Sequence, residues 1–235
     1  MTRDVLFERF FNALISGDRT IARELIDELL SNDCPVEKIL SRLIWPTLQH
    51  IQDLHRNDQL SELSHNYATR LLRTIVPHLQ LRLERNDPRG KTVLLCSGAE
   101  QSEEIAAQIV ADLLDADGYQ VFYAGGGIAN DEIVSEVGNL DVDVLVVFGA
   151  VPATVPATRV LIDRLHEIEV CPNLQIVVGG GVFNRADGLA EEIGADLWGN
   201  DPEEVVRVMD KNPDRRMTSD QRTVGRRRRT TQKRS

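Results

Sequence analysis

A polar triplet, Glu100, Gln101 and Ser102, lies between a short apolar segment and a helical pattern in the middle of the chain. Residues 92–96 are rich in strand formers and too few for a helix, and a Ser-Gly pair ends the segment. Apolar residues then recur three or four positions apart, as in a helix. Strand, tight turn and helix open a doubly wound α/β domain, whose ligands bind outside the carboxyl ends of the strands. We therefore expect this triplet at the mouth of a ligand site.

Acid–base chemistry is what the carboxylates at this turn, Glu100, Glu103 and Glu104, could provide. No nucleophile with a partnered base at a motif spacing accompanies them, and the sequence has no P-loop and no G-x-G-x-x-G after the first strand. Glu100 also has a role that needs no ligand, as a carboxylate stabilised by the helix dipole at a helix start. The sequence therefore predicts a binding protein and not an enzyme.

Two histidines, His55 and His65, lie in the N-terminal part of the chain, which reads as helical over residues 3–85. Apolar residues at helical spacing define four segments, separated by polar breaks at 16–18, 31–33 and 57–58. Asp18 suits an N-cap, and Pro46 is expected to kink the third helix. Four amphipathic helices with short connections predict a bundle over residues 1–86. His55 then ends the third helix and His65 lies within the fourth, so that the two side chains could face each other.

The second half of the chain alternates strand and helix patterns. Strands are predicted at 92–96, 120–123, 144–148, 175–178 and 196–198, and helices near 103–117, 130–138, 157–168, 185–193 and 202–210. The strands are continuous apolar runs, as expected of a parallel sheet covered on both faces. The predicted fold is therefore α/β, with a four-helix bundle followed by a five-stranded parallel, doubly wound, flavodoxin-like sheet domain at 91–211.

Charge is distributed unevenly along the 235 residues. The net charge is −10, yet the segment from Pro213 onward contains nine Lys or Arg and only two Asp or Glu. This end, 212–235, has no apolar period and is expected to be a disordered basic tail. The acidic body argues against nucleic acid as a main partner, so that any contact with nucleic acid is expected through the tail, at Arg226 to Arg229, Lys233 and Arg234.

The remaining composition points to a cytoplasmic protein without a membrane segment. No apolar run approaches the length of a membrane span, and the N-terminus mixes charges into its apolar residues, unlike a signal peptide. The three cysteines, Cys34, Cys96 and Cys171, are far apart and form no C-x-x-C motif. They are expected to be small buried apolar residues.

Three further motifs, in order behind a helical bundle, resemble those of the cobalamin-binding modules. DGYQV at 117–121 is similar to the G-[YW]-x-V that enters the second strand of that family. VGG at 178–180 is similar to its glycine pair after the fourth strand, and GADLW at 194–198 to its GAD segment. The resemblance covers about residues 3–210 and is nearest to the cobalamin-dependent regulators, including light-sensing transcription factors. We expect this chain to lack the DNA-binding domain that those regulators often carry.

The ligand motifs depart from the family pattern. The family has Asp or Glu, any residue, His, two more residues and Gly after the first strand, and its histidine coordinates cobalt from below. Here Ser102 stands at the histidine position and Ile105 at the glycine that opens space for the lower nucleotide tail. Serine is a poor substitute for imidazole at a transition metal. After the third strand, Gly149 and Ala150 stand where the family often has a serine that hydrogen-bonds the tail.

The bundle departs from the family pattern too. The regulators have a tryptophan followed about ten residues later by a Glu-His pair, all facing the upper ligand of cobalt. Here His55 stands at the tryptophan, His65 at the glutamate and Asn66 at the histidine. The histidines could contact a tetrapyrrole or a metal from above, or be ordinary surface or hydrogen-bonded residues. The glycines at 125–127 could cradle a phosphate or a corrin edge, or form only a flexible loop.

The resemblance implies a cofactor site for cobalamin, or a related tetrapyrrole, at these positions: His55, His65, Asn66, Glu100, Gln101, Ser102, Gly126, Gly149, Ala150, Gly179, Gly180 and Trp198, the last of which could equally be a core residue. The leading hypothesis is a sensory or regulatory protein that binds a corrinoid and signals to a protein partner, with a homo-oligomer as one arrangement. A second hypothesis is the same fold with the cofactor site lost, acting as a protein-interaction module. A third is a corrinoid carrier subunit in methyl transfer, which the missing histidine argues against.

Overall fold

The computed structural model describes residues 2–149, 152–168, 171 and 173–217. The chain divides into two units, a helical unit at Met1–Arg85 and an α/β unit at Asn86–Ser235. The arginine-rich part of the expected tail lies outside the described residues. Within the described part, no helix is both long enough and apolar enough to cross a lipid bilayer.

The helical unit contains the predicted helices, with the third one divided. The helices are α1 (Arg3–Ser16), α2 (Arg19–Ser31), α3 (Val36–Ile39), α4 (Trp45–Arg56) and α5 (Glu62–Gln80). The Asp18 side chain caps α2, accepting hydrogen bonds from two backbone N–H groups of its first turn. The core is built from the predicted apolar stripes and includes Phe10, Leu14, Leu25, Leu48 and Leu72, all almost fully buried.

A π-helical segment, Leu40–Ile44, joins α3 to α4. Pro46 was expected to kink this helix, because proline donates no backbone hydrogen bond and its ring clashes with the carbonyl four residues earlier. The wider π turn lies directly before the Trp45-Pro46 pair, where the Trp45 N–H bonds to the Leu40 carbonyl. The π segment accommodates the proline within a helix that continues to Arg56.

The α/β unit contains a single described sheet of five parallel strands, ordered β2-β1-β3-β4-β5. The strands are β1 (Thr92–Ser97), β2 (Gln120–Gly126), β3 (Val144–Phe148), β4 (Gln175–Gly179) and β5 (Leu197–Gly199). The helices are α6 (Gln101–Ala116), α7 (Asn130–Asn139), α8 (Val155–Ile168), α9 (Leu189–Glu192) and α10 (Pro202–Lys211). This order confirms the predicted flavodoxin-like arrangement and places the topological switch point between β1 and β3.

Two helical layers cover the sheet, as the apolar strands require. Helix α6 packs against α10, and α7 packs against α8. Alternate strand residues, including Leu94, Leu145 and Ile176, join the core that contains residues of α7 and α8. Strands buried on both faces cannot show alternating polarity, which is why they appear in the sequence as unbroken apolar runs.

Two predicted segments differ from the structure. The helix expected at 185–193 is reduced to the single-turn α9, because Gly188 has φ of 81° and the helix begins only after it; a separate 3₁₀ turn, Gly181–Asn184, precedes this segment. Residues 212–217, assigned to the disordered tail, pack against the sheet. The Gln175 side chain donates to the carbonyls of Asn212 and Arg215, and the Asp196 carboxylate accepts from the Met217 N–H.

Helix α6 also buries the carboxyl group of Asp112, and only one of its two oxygens has a hydrogen-bond partner among the described residues. Gln108 donates a hydrogen bond to Asp112 Oδ1 at 2.7 Å, but Oδ2 has no hydrogen-bond partner among the described residues. Burial raises the pKa of Asp112 to about 7, and the nearby Asp115 adds to the effect. Because the folded state holds this proton more tightly than the unfolded chain, the stability contributed by the neutral acid is lost as the pH rises towards 7.

We expect Asp112→Asn to stabilise the fold at pH 8 by about 1–3 kcal/mol and to change it little at pH 4, where both side chains are neutral. Urea unfolding at the two pH values measures the difference. Asp115→Asn, which removes a less buried carboxylate from the same helix, is the matched control and should shift stability much less. A pH-independent effect of Asp112→Asn would contradict the assignment.

Candidate functional site

Helix α6 begins at Gln101, only four residues after the last residue of β1, and this start shapes the carboxyl edge of the sheet. Glu100 is the exposed N-cap residue, and Gln101 begins the helix, exposed in its first turn. The Glu103 side chain turns back and accepts the Glu100 N–H at 3.3 Å, as in a capping box. The role of Glu100 at a helix start, one of the two sequence interpretations, is therefore present in the structure.

Glu103 is a buried carboxylate under this edge, only 5% exposed. A Cβ added to Gly98 would lie 1.9 Å from Glu103 Oε2 and 2.7 Å from the Gly149 carbonyl. A Cβ on Gly126 would lie 2.1 Å from the Gly98 carbonyl. The backbone after β1 therefore lies close to the end of β2 and to the Glu103 carboxylate, and no side chain fits at Gly98 or Gly126.

Ser102 and Ile105 lie inside α6, where they are 2% and 3% exposed. Ser102 occupies the first helical turn, and Ile105 packs into the core of the α/β unit. The position at which the resemblance expects a cobalt ligand is thus enclosed, and the position at which it expects an opening is filled.

A cavity of about 160 Å³ lies at the switch point between β1 and β3. Its lining is mostly small: Cys96, Ser97, Gly98, Ala99, Gly125, Gly127, Ile128, Asn130, Ile133, Val147, Thr154, Ala157, Thr158 and Leu161. Gly125 and Gly127 both have positive φ, and a Cβ on either would meet no atom within 4 Å. The space beside these two glycines is therefore free for a ligand, whereas a Cβ on Gly98 or Gly126 would not fit.

The glycines at 125–127 do not form a loop throughout, as one interpretation had it. Strand β2 runs through Gly126, and its register against β1 shifts after Leu95, which pairs with Tyr123 while Cys96 pairs with Gly125. The extra residue makes a β-bulge at the strand end. The bulge, rather than flexibility, sets the shape of the open backbone beside the cavity.

The glycines that follow β3 and β4 make close contacts inside the unit. Gly149 is buried beside Glu103, and Ala150 lies outside the described residues. A Cβ on Gly179 would lie 2.5 Å from the Gly199 carbonyl, and one on Gly180 would lie 2.7 Å from the Phe148 ring. These two glycines are therefore required by packing even without a ligand.

Trp198 lies on β5, half-buried against the core on the α7 and α8 side of the sheet. The Arg215 guanidinium lies 5.3 Å from the centre of the Trp198 ring, within cation–π range. An internal partner thus covers part of this side chain, which fits the interpretation of Trp198 as a structural residue.

In the helical unit, the corner between α4 and α5 brings three predicted residues together. The His55 and His65 rings are stacked, with centroids 4.0 Å apart and planes 14° apart. The Glu62 carboxylate contacts His55 and Asn66: its Oε2 is 2.9 Å from His55 Nε2, and Asn66 Nδ2 donates a hydrogen bond to its Oε1 at 3.2 Å. The hydrogen bond to His55 lowers the pKa of Glu62, which is therefore ionised at neutral pH.

Glu62 was not singled out in the sequence, and Glu103 was considered there only as a carboxylate for acid–base chemistry. The spacing of Glu62 and His65, three residues apart on one helix, places them on the same face and could have identified Glu62. The Glu100-x-x-Glu103 spacing matches the second half of a capping box. It predicts the helix start but not the enclosure of Glu103 by glycines from neighbouring strands.

Comparison with protein families assigns both units. The family model described as B12 binding domain matches residues 90–207, and a second model with the same description matches residues 6–80. The chain belongs to the B12-binding domain family. Its cofactor class is therefore cobalamin or a related corrinoid, as the resemblance implied.

Relatives of this B12-binding protein match along nearly their whole length. Monomethylamine corrinoid protein 2 of Methanosarcina barkeri is 22% identical over 214 residues, which cover 88% of this chain and 97% of that protein. A corrinoid protein of Desulfitobacterium hafniense is 22% identical over 220 residues, covering 88% and 96%. The solved structure of the M. barkeri monomethylamine corrinoid protein aligns with a TM-score of 0.77 at 20% identity, covering 88% of this chain and 98% of that one, and thus shares its fold.

The carboxyl edge of this B12-binding domain fits a corrinoid only in part. The open backbone at Gly125 and Gly127 and the cavity beside it can receive part of a flat ligand. Ser102 offers no imidazole, and Ile105 is buried at the position where the resemblance implies space for a nucleotide tail. By their chemistry, the residues at this edge therefore offer a corrinoid shape and backbone contacts but no imidazole.

We expect Gly98→Ala to destabilise the α/β unit by about 1–3 kcal/mol, because the methyl group would displace the Glu103 carboxylate and press on the Gly149 carbonyl. Gly127→Ala is the control: its Cβ meets nothing within 4 Å, so only the positive φ is penalised, at about 1 kcal/mol. Urea unfolding midpoints of both variants measure the difference. A smaller effect at Gly98 than at Gly127 would contradict the close packing.

Proposed function

We propose that this chain is a non-catalytic corrinoid carrier protein that works with a methyltransferase-type partner and holds its cofactor without a protein imidazole below the cobalt. The supporting observation is the match of B12-binding family models to both units, together with near full-length alignment to proteins named as corrinoid proteins. A bound corrinoid supplies a cobalt centre that can accept and release a one-carbon group.

The residues of the α/β unit would hold the cofactor through shape and backbone contacts. Gly125 and Gly127 leave room for the ring edge, and Ala99 and Thr154 line the cavity beside them. Gln101 and Glu100 stand exposed at the start of α6 and can donate or accept hydrogen bonds at the mouth. Ile105 is buried at the position that the resemblance gives to the nucleotide tail, so α6 would leave no room for the tail there.

A second candidate is an interaction module that has lost its cofactor. The enclosed Ser102 and the filled position at Ile105 favour it, because both remove features on which the family depends. The sensory interpretation has less support, since the relatives named above are corrinoid proteins and not regulators. The corrinoid carrier interpretation therefore leads, although the sequence alone argued against it.

The visible absorption spectrum tests the two candidates directly. The full chain is incubated with cobalamin, or separately with haem as a control tetrapyrrole, and then passed through a size-exclusion column. A carrier retains about one cobalamin per chain and little haem. Protein that elutes without cobalamin, while still folded by circular dichroism, would support the interaction module.

We expect Ser102→His combined with Ile105→Gly to restore the family ligand pattern. The double variant should retain cobalamin roughly tenfold more tightly, with a spectrum changed by imidazole on cobalt. Ile105→Gly alone, the control, opens space without a ligand and should keep the spectrum of the original chain. Ser102→His alone should mainly lower the melting temperature, since imidazole does not fit the space of a buried serine. A folded double variant with an unchanged spectrum would show that α6 does not face the corrinoid.

A further inference from the structure

We propose that His55, Glu62 and His65 form a binding site for a divalent transition-metal ion, best matched by Zn²⁺, in the helical unit. The site is independent of the corrinoid proposal, because it requires only residues of the corner between α4 and α5. Among the described residues, these three place one ligand atom each within 4.8 Å of one another.

The backbone of the corner is fixed on both sides. The Gln59 N–H bonds to the Leu54 carbonyl at 2.8 Å and the Asp58 N–H to the His55 carbonyl at 3.1 Å, the two bonds of a Schellman motif. Asp58 has φ of 56°, as that motif requires at its turn residue. The Ser61 hydroxyl accepts the Ser64 N–H at 3.2 Å and caps α5. The ligand side chains therefore extend from a connection held by hydrogen bonds at both helix ends.

The side chains need only small movements to bind one ion. Zinc bonds of 2.0–2.2 Å place tetrahedral ligand atoms about 3.3 Å apart, against the 4.8 Å limit that already encloses the three. The two rings are stacked with their planes 14° apart, so both must turn before one ion can lie in the plane of each. Rotation about the broad terminal torsion of each histidine would turn them towards a shared point.

The chemistry of the set favours zinc over calcium or magnesium. Two imidazoles and one carboxylate are the protein ligands of a well-known class of zinc sites that keep a fourth position open. Calcium and magnesium prefer sets made only of oxygen. The Asn66 amide donates a hydrogen bond to Glu62 Oε1 at 3.2 Å and so orients the carboxylate, whose other oxygen, Oε2, lies 2.9 Å from His55 Nε2. A ligating carboxylate held by a hydrogen bond in this way binds metal more tightly.

Solvent can reach the site, so an ion can enter and the fourth position can hold water. The side chains of His55 and Glu62 are 34% and 73% exposed. A bound ion would join the end of α4 to the start of α5 and stabilise the helical unit by mass action.

The test uses the full chain, free of corrinoid and treated with a chelator, titrated with Zn²⁺ by isothermal calorimetry. We expect about one ion per chain with a dissociation constant on the order of 10 µM or tighter. His65→Ala and Glu62→Gln should each weaken binding at least tenfold. His78→Ala, an exposed histidine on the same helix, is the matched control and should change affinity less than twofold. Co²⁺ should give visible bands of a four-coordinate ion in the original chain and not in His65→Ala.

Two results would overturn the proposal. One is the absence of stoichiometric Zn²⁺ binding in protein that circular dichroism shows to be folded. The other is equal Zn²⁺ affinity in His65→Ala and His78→Ala, which places any bound ion elsewhere. Neither result changes the outcome of the cobalamin retention experiment.

Discussion

The start of α6 immediately after β1 is the constraint on which the carboxyl edge depends. The capping interaction between Glu103 and the Glu100 N–H fixes the first turn of the helix, so that residue 102 falls within the helix and is buried. Ser102 stays enclosed as long as that turn is intact and Ile105, one turn further on, remains in place. Two features therefore distinguish this position from that of a cobalt ligand: histidine is absent, and the surrounding backbone encloses the residue that replaces it.

The glycines of this edge show why a motif does not by itself define a ligand contact. Gly98 and Gly126 are required because Glu103 and the neighbouring strand leave no room for a Cβ, and Gly180 because the Phe148 ring lies against it. Gly125 and Gly127, which no motif distinguished from Gly126, are the ones with open space. Neighbouring glycines therefore have different roles: some are required by internal packing, and others leave space for a ligand. Only the three-dimensional arrangement shows which glycine has which role.

Patterns that depend on burial over several residues were predictable from the sequence. The parallel sheet follows from apolar runs such as those of β1 and β3. The strand order follows from the alternation of strands and helices, which is typical of the flavodoxin-like fold. Features set by one residue against its surroundings were not. The π segment before Pro46, the interruption at Gly188 and the docking of residues 212–217 by Gln175 and Asp196 each depend on contacts outside their own segment.

The same distinction separates the two candidate sites. The pair His55 and His65 was predictable because local helix geometry decides it, and Glu62 belongs to the pair for the same local reason. The carboxyl edge of the sheet combines loops that follow several strands. The resemblance could therefore locate its residues but could not show which of them a ligand can reach. The chain has no imidazole at the buried turn of α6 and two at an exposed helix corner. A zinc ion can reach the exposed corner from solvent and keep water at its fourth position, whereas the enclosed turn of α6 provides neither solvent access nor an imidazole.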